Sequence, residues 1–157
     1  MFEKVLVCLD GSPLAEQILP YVLAESDCWG KVIMLKVLTT PEASLPLGVP
    51  GAPGIPVHTE SMLAHFRKEL EETPAYLEKM AQPLRKKGLD VECVVFQGKA
   101  GETIVNYAKD NKVKLIAIAT HGHSGLRQIA IGSTAEFVLR NSGLPLLLVT
   151  PQKQRKS

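Results

Sequence analysis

Leu115–Thr134 reads LIAIATHGHSGLRQIAIGST. Its first five residues, Leu115–Ala119, form a continuous apolar run, the pattern of a strand buried on both faces. Gly122, Gly125 and Gly132 punctuate the stretch after it, and Ser133 opens a helical pattern that reaches Arg140 and stops near Gly143. A buried strand running through a glycine-rich turn into a helix is the repeating half of an α/β fold. In that fold, parallel strands are joined through helices.

The rest of the chain repeats the alternation. Val5–Leu9 is another short apolar run, and it ends at Asp10-Gly11-Ser12-Pro13. That turn contains a helix start, a Ser N-cap followed by Pro at the first helical position. Helical spacing is predicted from Leu14 to about Ser26, closed by Trp29-Gly30, with a strand over Lys31–Leu38. Thr59 to about Lys87 predicts a long amphipathic helix. Leu63, Phe66, Leu70, Tyr76, Leu77, Met80 and Leu84 line one side, Pro74 predicts a kink or a break, and Gly88 closes the end. Val91–Phe96 is a third strand, Glu102–Lys109 a helix, and Leu144–Val149 a final strand with Pro145 inside it. The expected fold class is α/β, an open five-stranded parallel sheet in Rossmann-like order 3-2-1-4-5 with helices on both faces. One domain is expected over residues 1–150, and a basic, disordered tail over 151–157 carries Lys153, Arg155 and Lys156.

Thr39–His58 breaks the pattern. Pro41, Pro46, Pro50, Pro53 and Pro56 alternate there with Gly48, Gly51 and Gly54, a density that no regular element tolerates. The expectation is an irregular loop, either a surface excursion or a flap, since it leaves the second strand at its carboxyl end.

Composition excludes several function classes. Net charge is +2 and aromatics are 5% of the 157 residues, so neither a basic nucleic-acid face nor a base-stacking platform is expected. No apolar run approaches the roughly 18 residues of a membrane span, and no signal peptide is expected because Met1–Asp10 already reads as a strand. Cys8, Cys28 and Cys93 have no short paired spacing, which argues for a reducing compartment, hence the cytoplasm, and against a zinc site.

Topology locates a site before any motif does. In open parallel sheets, ligands bind past the carboxyl ends of the strands where strand order reverses. For order 3-2-1-4-5 that point lies between the first and fourth strands, whose loops carry Asp10-Gly11-Ser12 and Thr120–Gly132. Glycines at 122, 125 and 132 let backbone approach a ligand closely, and the helix start at Ser133-Thr134 offers N–H groups and hydroxyls to an anion. By composition alone this is equally a plain glycine-rich turn with Ser133 as N-cap. The P-loop and the dinucleotide fingerprint are absent, and Leu126 stands where a nucleophile elbow needs glycine. His121 and His123 have no cysteines or clustered carboxylates around them, so no metal site is expected.

A first strand ending in Asp-Gly-Ser, and a late strand running into Ala-Thr-His-Gly, nine residues and Gly-Ser-Thr, resembles the universal stress protein family. The resemblance covers nearly the whole chain and implies an adenine nucleotide alpha hydrolase-like fold. ATP-binding members carry G-x-x-G, nine residues, then G-[S/T]. Here Gly122, His123–Ile131 and Gly132-Ser133 match, and Ala119 replaces the first glycine. The resemblance implies that Asp10 lines the nucleotide site near the ribose and that the Val37 backbone meets adenine. It further implies that Ala119, Gly122, Gly132, Ser133 and Thr134 form the phosphate cradle. Arg127, inside the nine-residue stretch, reads as solvated. Lys114 departs from an acidic residue frequent in the family, at the end of the strand far from the site.

The expected function is a regulatory, stress-response module binding ATP, accompanied by Mg²⁺. The resemblance also implies a homodimer through the C-terminal edge strand and an unidentified protein partner. No catalytic residue is assigned, because Asp10 is the one carboxylate placed near the site. Two other readings stay open. One is a slow ATPase or phosphotransferase using Asp10 with His121 or His123; the other is a nucleotide-free dimeric interaction protein, which Ala119 keeps in play.

Overall fold

Val5, Leu6, Val7, Cys8 and Leu9 are all buried, as an apolar run covered on both faces requires. They form the second half of β1, Phe2–Leu9, in the computed structural model, which describes residues 1–40, 60–120 and 131–150. β1 pairs in parallel with β2, Trp29–Leu38, on one side and with β4, Leu115–Ala119, on the other. β3, Asp90–Gln97, adds to β2, and β5, Leu146–Val149, adds to β4, both in parallel. The resulting order, β3-β2-β1-β4-β5, is the one the alternation predicts.

Helices cover both faces. Val5, Val7 and Leu9 point toward α1, Pro13–Glu16, α2, Leu19–Ala24, and α3, Glu60–Lys86, packing with Ile18, Val22, Leu77 and Leu84. Leu6 and Cys8 point the other way, into a second cluster with Ile104 and Ala108 of α4, Ala100–Asp110, and Val138 of α5, Ser133–Asn141. Side chains of a strand alternate between faces, so one apolar run supplies both cores. Each large side chain buried this way contributes roughly 1.5–3 kcal/mol. Among the described residues, no helix is long and apolar enough to cross a membrane.

Four local readings are corrected. The single helix expected over Leu14–Ser26 is two short ones. Pro20 has no N–H to offer the Glu16 carbonyl, so the hydrogen-bond ladder lapses between them. Trp29 and Gly30 do not close a helix; they open β2. Trp29 instead donates from its indole N–H to the Val22 carbonyl at 2.8 Å, satisfying the end of α2. Gly30 lies where a Cβ would stand 2.7 Å from the Glu3 carbonyl oxygen, so close strand pairing explains it.

The apolar stripe of α3 is buried only from Thr73 onward, at Thr73, Leu77, Ala81 and Leu84, whereas Leu63 and Leu70 are each 37% exposed. Twenty-seven helical residues rise about 40 Å, and eight strand residues about 26 Å, so the helix overruns the sheet that would cover it. α3 continues through Pro74 and ends as expected, with Gly88 at φ 92° and the Leu89 N–H donating back to the Leu84 carbonyl. Finally, Pro145 precedes β5 rather than lying within it, and its carbonyl accepts from the Ile116 N–H at 3.0 Å. Residues 41–58 of the Pro-rich loop and the tail 151–157 lie outside the described residues.

Candidate functional site

The carboxyl ends of β1 and β4 diverge to α1 and α5 on opposite faces, and a cleft of about 110 Å³, open to solvent, forms there. The floor is sheet: Cys8 on β1 lies between Leu35 of β2 and Ile118 of β4 in the strand register, with Val37 beyond. Ala100 and Ile104, one turn apart on α4, form a wall.

The β1–α1 turn forms one rim. Asp10 Oδ1 accepts from the Ser12 N–H at 2.8 Å, and Ser12 Oγ accepts from the Ala15 N–H at 3.1 Å. Gly11 takes φ 87°, a left-handed conformation that glycine adopts without strain. Asp10 therefore does hold the turn, as a plain turn aspartate would, and it also lines the cleft.

The opposite rim is the start of α5. Ser133 is not the N-cap: Gly132 is, with φ −52° and ψ 153°, and among the described residues no side chain caps the helix. Ser133 and Thr134 occupy the first helical turn and line the cleft with Gly132 and Ala135. The start of α4 likewise has no side-chain cap at Lys99. Two helix N-termini without side-chain caps thus border one cavity, and each favours an anion.

Of the seven residues predicted from sequence, Asp10, Val37, Ala119, Gly132, Ser133 and Thr134 line this cleft. Gly122 falls outside the described residues, as do His121, His123 and Arg127. Ala119 ends β4, paired with Val149, and is buried. Sequence reasoning missed Ala100 and Ile104, which a period of four on α4 marks only as a buried face, and Cys8 and Leu35, which read as core.

Electrostatically the described lining is sparse. Asp10 and Cys8 are its only titratable side chains. Burial pushes the Cys8 thiol up from 9.0 to about 12, so at neutral pH it is a neutral, apolar floor residue and no nucleophile. Among the described residues no group of three His, Cys, Asp or Glu side chains could hold a metal ion. The lining suits a flat apolar group against the sheet and an anionic group at the helix starts, and among the described residues it contains no acid–base pair.

The buried thiol makes a measurable prediction. Its pKa is raised on folding, so the folded state holds the proton while the unfolded chain releases it. The thiol's contribution is fully present below pH 9 and is lost as pH rises from 9 to about 12. The loss amounts to at most roughly 4 kcal/mol. Denaturant titrations of the wild type should show a steeper alkaline fall in stability than those of Cys8→Ala. Parallel pH curves would contradict the burial of Cys8.

Comparisons with known proteins agree on one lineage. The universal stress protein family profile matches residues 1–150. The chain is 32% identical to universal stress protein MJ0577 of Methanocaldococcus jannaschii over 156 residues, 95% of each chain. A solved structure of MJ0577 superposes with a TM-score of 0.78 at 28% identity, covering 98% of this chain and 99% of that one. The same fold is seen in an Arabidopsis thaliana family member with AMP bound, with TM-score 0.61, 15% identity and coverage of 99% and 96% of the two chains. It also recurs in a universal stress protein in complex with cAMP, with TM-score 0.62, 18% identity and coverage of 94% and 96%. With its sheet order, its cleft at the strand-order reversal and a match across 150 residues, the chain belongs to the universal stress protein family.

Proposed function

We propose that this chain is an ATP-binding regulatory module of the stress response, with nucleotide held between the Asp10 turn and the 119–134 segment. The observation that carries the reading is the cleft itself: an apolar sheet floor facing two helix starts without side-chain caps, rimmed by one carboxylate. A purine would lie on Cys8, Leu35 and Val37, the ribose near Asp10, and phosphates at Gly132, Ser133 and Thr134. These helix-start contacts give an anion about 0.3–1 kcal/mol each when exposed and more when buried. That family members crystallise with AMP and cAMP supports an adenine nucleotide. Mg²⁺ would be carried by the phosphates, with Asp10 the one carboxylate among the described lining residues. The role proposed is binding; a slow ATPase or phosphotransferase using Asp10 with His121 or His123 is the second reading.

Calorimetric titration of the folded, nucleotide-free chain with ATP tests this, and saturable binding below millimolar is expected. No heat of binding at millimolar ATP would sink the ATP reading and favour a nucleotide-free interaction protein. Ala119→Gly should tighten binding three- to tenfold, because the methyl removed lies at a buried strand end that lines the cleft.

The partner reading rests on β5. Among the described residues this edge strand pairs with β4 alone, and Leu146, Leu147 and Leu148 are only half-buried. An apolar edge invites a second chain, and we place a homodimer there, in the reducing cytoplasm that three free cysteines suit. Sedimentation at micromolar concentration should give a dimer; a monomer would overturn this assignment.

A further inference from the structure

Lys36 sits well inside β2 and is only 7% exposed. Its neighbours Leu35 and Val37 line the cleft, so strand alternation sends Lys36 to the opposite face. There its ammonium pairs with Glu69 Oε1 at 3.0 Å and donates to Thr73 Oγ1 at 3.3 Å. Thr73 gives its own hydroxyl proton to the Glu69 carbonyl at 2.7 Å, which turns a lone pair toward Lys36. The ammonium also stands 5.5 Å from the centre of the Tyr76 ring. Tyr76 in turn donates to Glu16 Oε1 at 3.1 Å. Glu69, Thr73 and Tyr76 share one face of α3 at helical spacing.

This network touches the cleft through one glycine. A Cβ placed on Gly11 would stand 3.2 Å from Lys36 Nζ and 3.6 Å from Cε, so the ammonium packs directly behind the Asp10-Gly11-Ser12 turn. Val32 and Met34, on the same face of β2, are apolar and fully buried. A charge in their row costs several kcal/mol of desolvation that an aliphatic side chain would not. What it offers instead is directional: the ammonium ties β2 to α3 through Glu69 and Thr73 while packing against the turn at Gly11.

We propose that Lys36 is a positioning residue for the nucleotide site, fixing the Asp10–Ser12 turn from the far face of the sheet and tying it to α3. This rests on the nucleotide reading above, in that the turn is one rim of that site. Lys36 does not line the cleft; it acts through the turn at Gly11. Coupling is reciprocal, so nucleotide at the turn also steadies the Glu69–Tyr76 stretch of α3.

Three variants of the full chain test it: Lys36→Met, Lys36→Arg and Glu69→Gln. Amide hydrogen exchange at Gly11, Ser12 and Ala15 is measured by NMR without nucleotide, and ATP affinity by calorimetry. Lys36→Met should exchange at least tenfold faster at the turn, with Leu115–Ala119 unchanged, and should bind ATP about tenfold more weakly. Lys36→Arg, which keeps the cation, should return both values to within threefold of the wild type, a rescue that bulk packing would not give. Turn exchange unchanged in folded Lys36→Met, or ATP affinity unchanged where the wild type binds, overturns the proposal. If the wild type does not bind ATP, the nucleotide reading fails while the exchange measurement still decides the positioning role. Should Lys36→Met not fold, Glu69→Gln decides. It should speed exchange at the same three amides, and no change there overturns the proposal.

Discussion

Ala100→Trp is expected to weaken ATP binding by at least 100-fold while the protein stays folded. Ala100 is the first residue of α4, is half-buried, and lines the cleft along with Ser133 and Thr134. An indole at that point would fill part of the cleft proposed for the base and ribose, and a loss of 100-fold corresponds to roughly 3 kcal/mol. The helix start tolerates the change, because Trp is only about 0.5 kcal/mol poorer than Ala in a helix and the side chain has the open cleft to enter. Calorimetry reports the affinity and circular dichroism the fold, with Ala100→Ser as a size-matched control that should bind like the wild type. Wild-type affinity in folded Ala100→Trp would mean that nucleotide binds somewhere else.

Leu6→Ala is expected to destabilise the fold by about 3–4 kcal/mol. Leu6 is fully buried at the middle of the central strand, between Ile33 of β2 and Ile116 of β4, and it packs into the α4–α5 core. Truncation removes apolar contacts and leaves a cavity that a sheet bonded on both sides cannot close, which places the cost in the upper part of the usual range of roughly 2–5 kcal/mol. For a chain of this size that lowers the melting temperature by about 10 °C. Leu63→Ala is the informative partner. The apolar stripe of α3 marks Leu63 as core, but it is 37% exposed, so its truncation should cost under about 1 kcal/mol. Equal losses for the two variants would show that the upper half of α3 is covered after all.

Much of this architecture is legible in one dimension. Val5–Leu9 and Leu115–Ala119 announce buried strands by composition, because a strand covered on both faces has no polar side to show. Asp10-Gly11-Ser12-Pro13 announces a turn and a helix start by the chemistry of its own residues, and the Asp10–Ser12 and Ser12–Ala15 hydrogen bonds span two and three positions. Gly88 announces a helix end in the same way. Local rules mislead where they meet a distant neighbour. Gly30 looks like a helix stop, but its reason is the Glu3 carbonyl on the adjacent strand. Leu63 and Leu70 have core periodicity on a helix longer than the sheet beneath it. Ser133 looks like a cap, yet the chain enters α5 one residue earlier in extended geometry at Gly132.

The candidate site divides along the same line. Asp10, Ala119, Gly132, Ser133 and Thr134 stand at element ends, where spacing and turn residues mark them, and sheet order alone brings those ends together. The sequence by itself determined the alternation of strands and helices, the turn chemistry and the family, since each rests on interactions across a few residues or on a motif of fixed spacing. Only the tertiary structure decided that α4 supplies Ala100 and Ile104 as a wall, that Cys8 is a floor rather than a reactive thiol, and that Lys36 crosses from a cleft-lining strand to a buried network behind Gly11. Those facts depend on which face a side chain takes and what a distant helix brings to it. Such pairings, Lys36 with Gly11 and Tyr76 with Glu16, join segments far apart along the chain and leave no periodic trace in either partner's own segment.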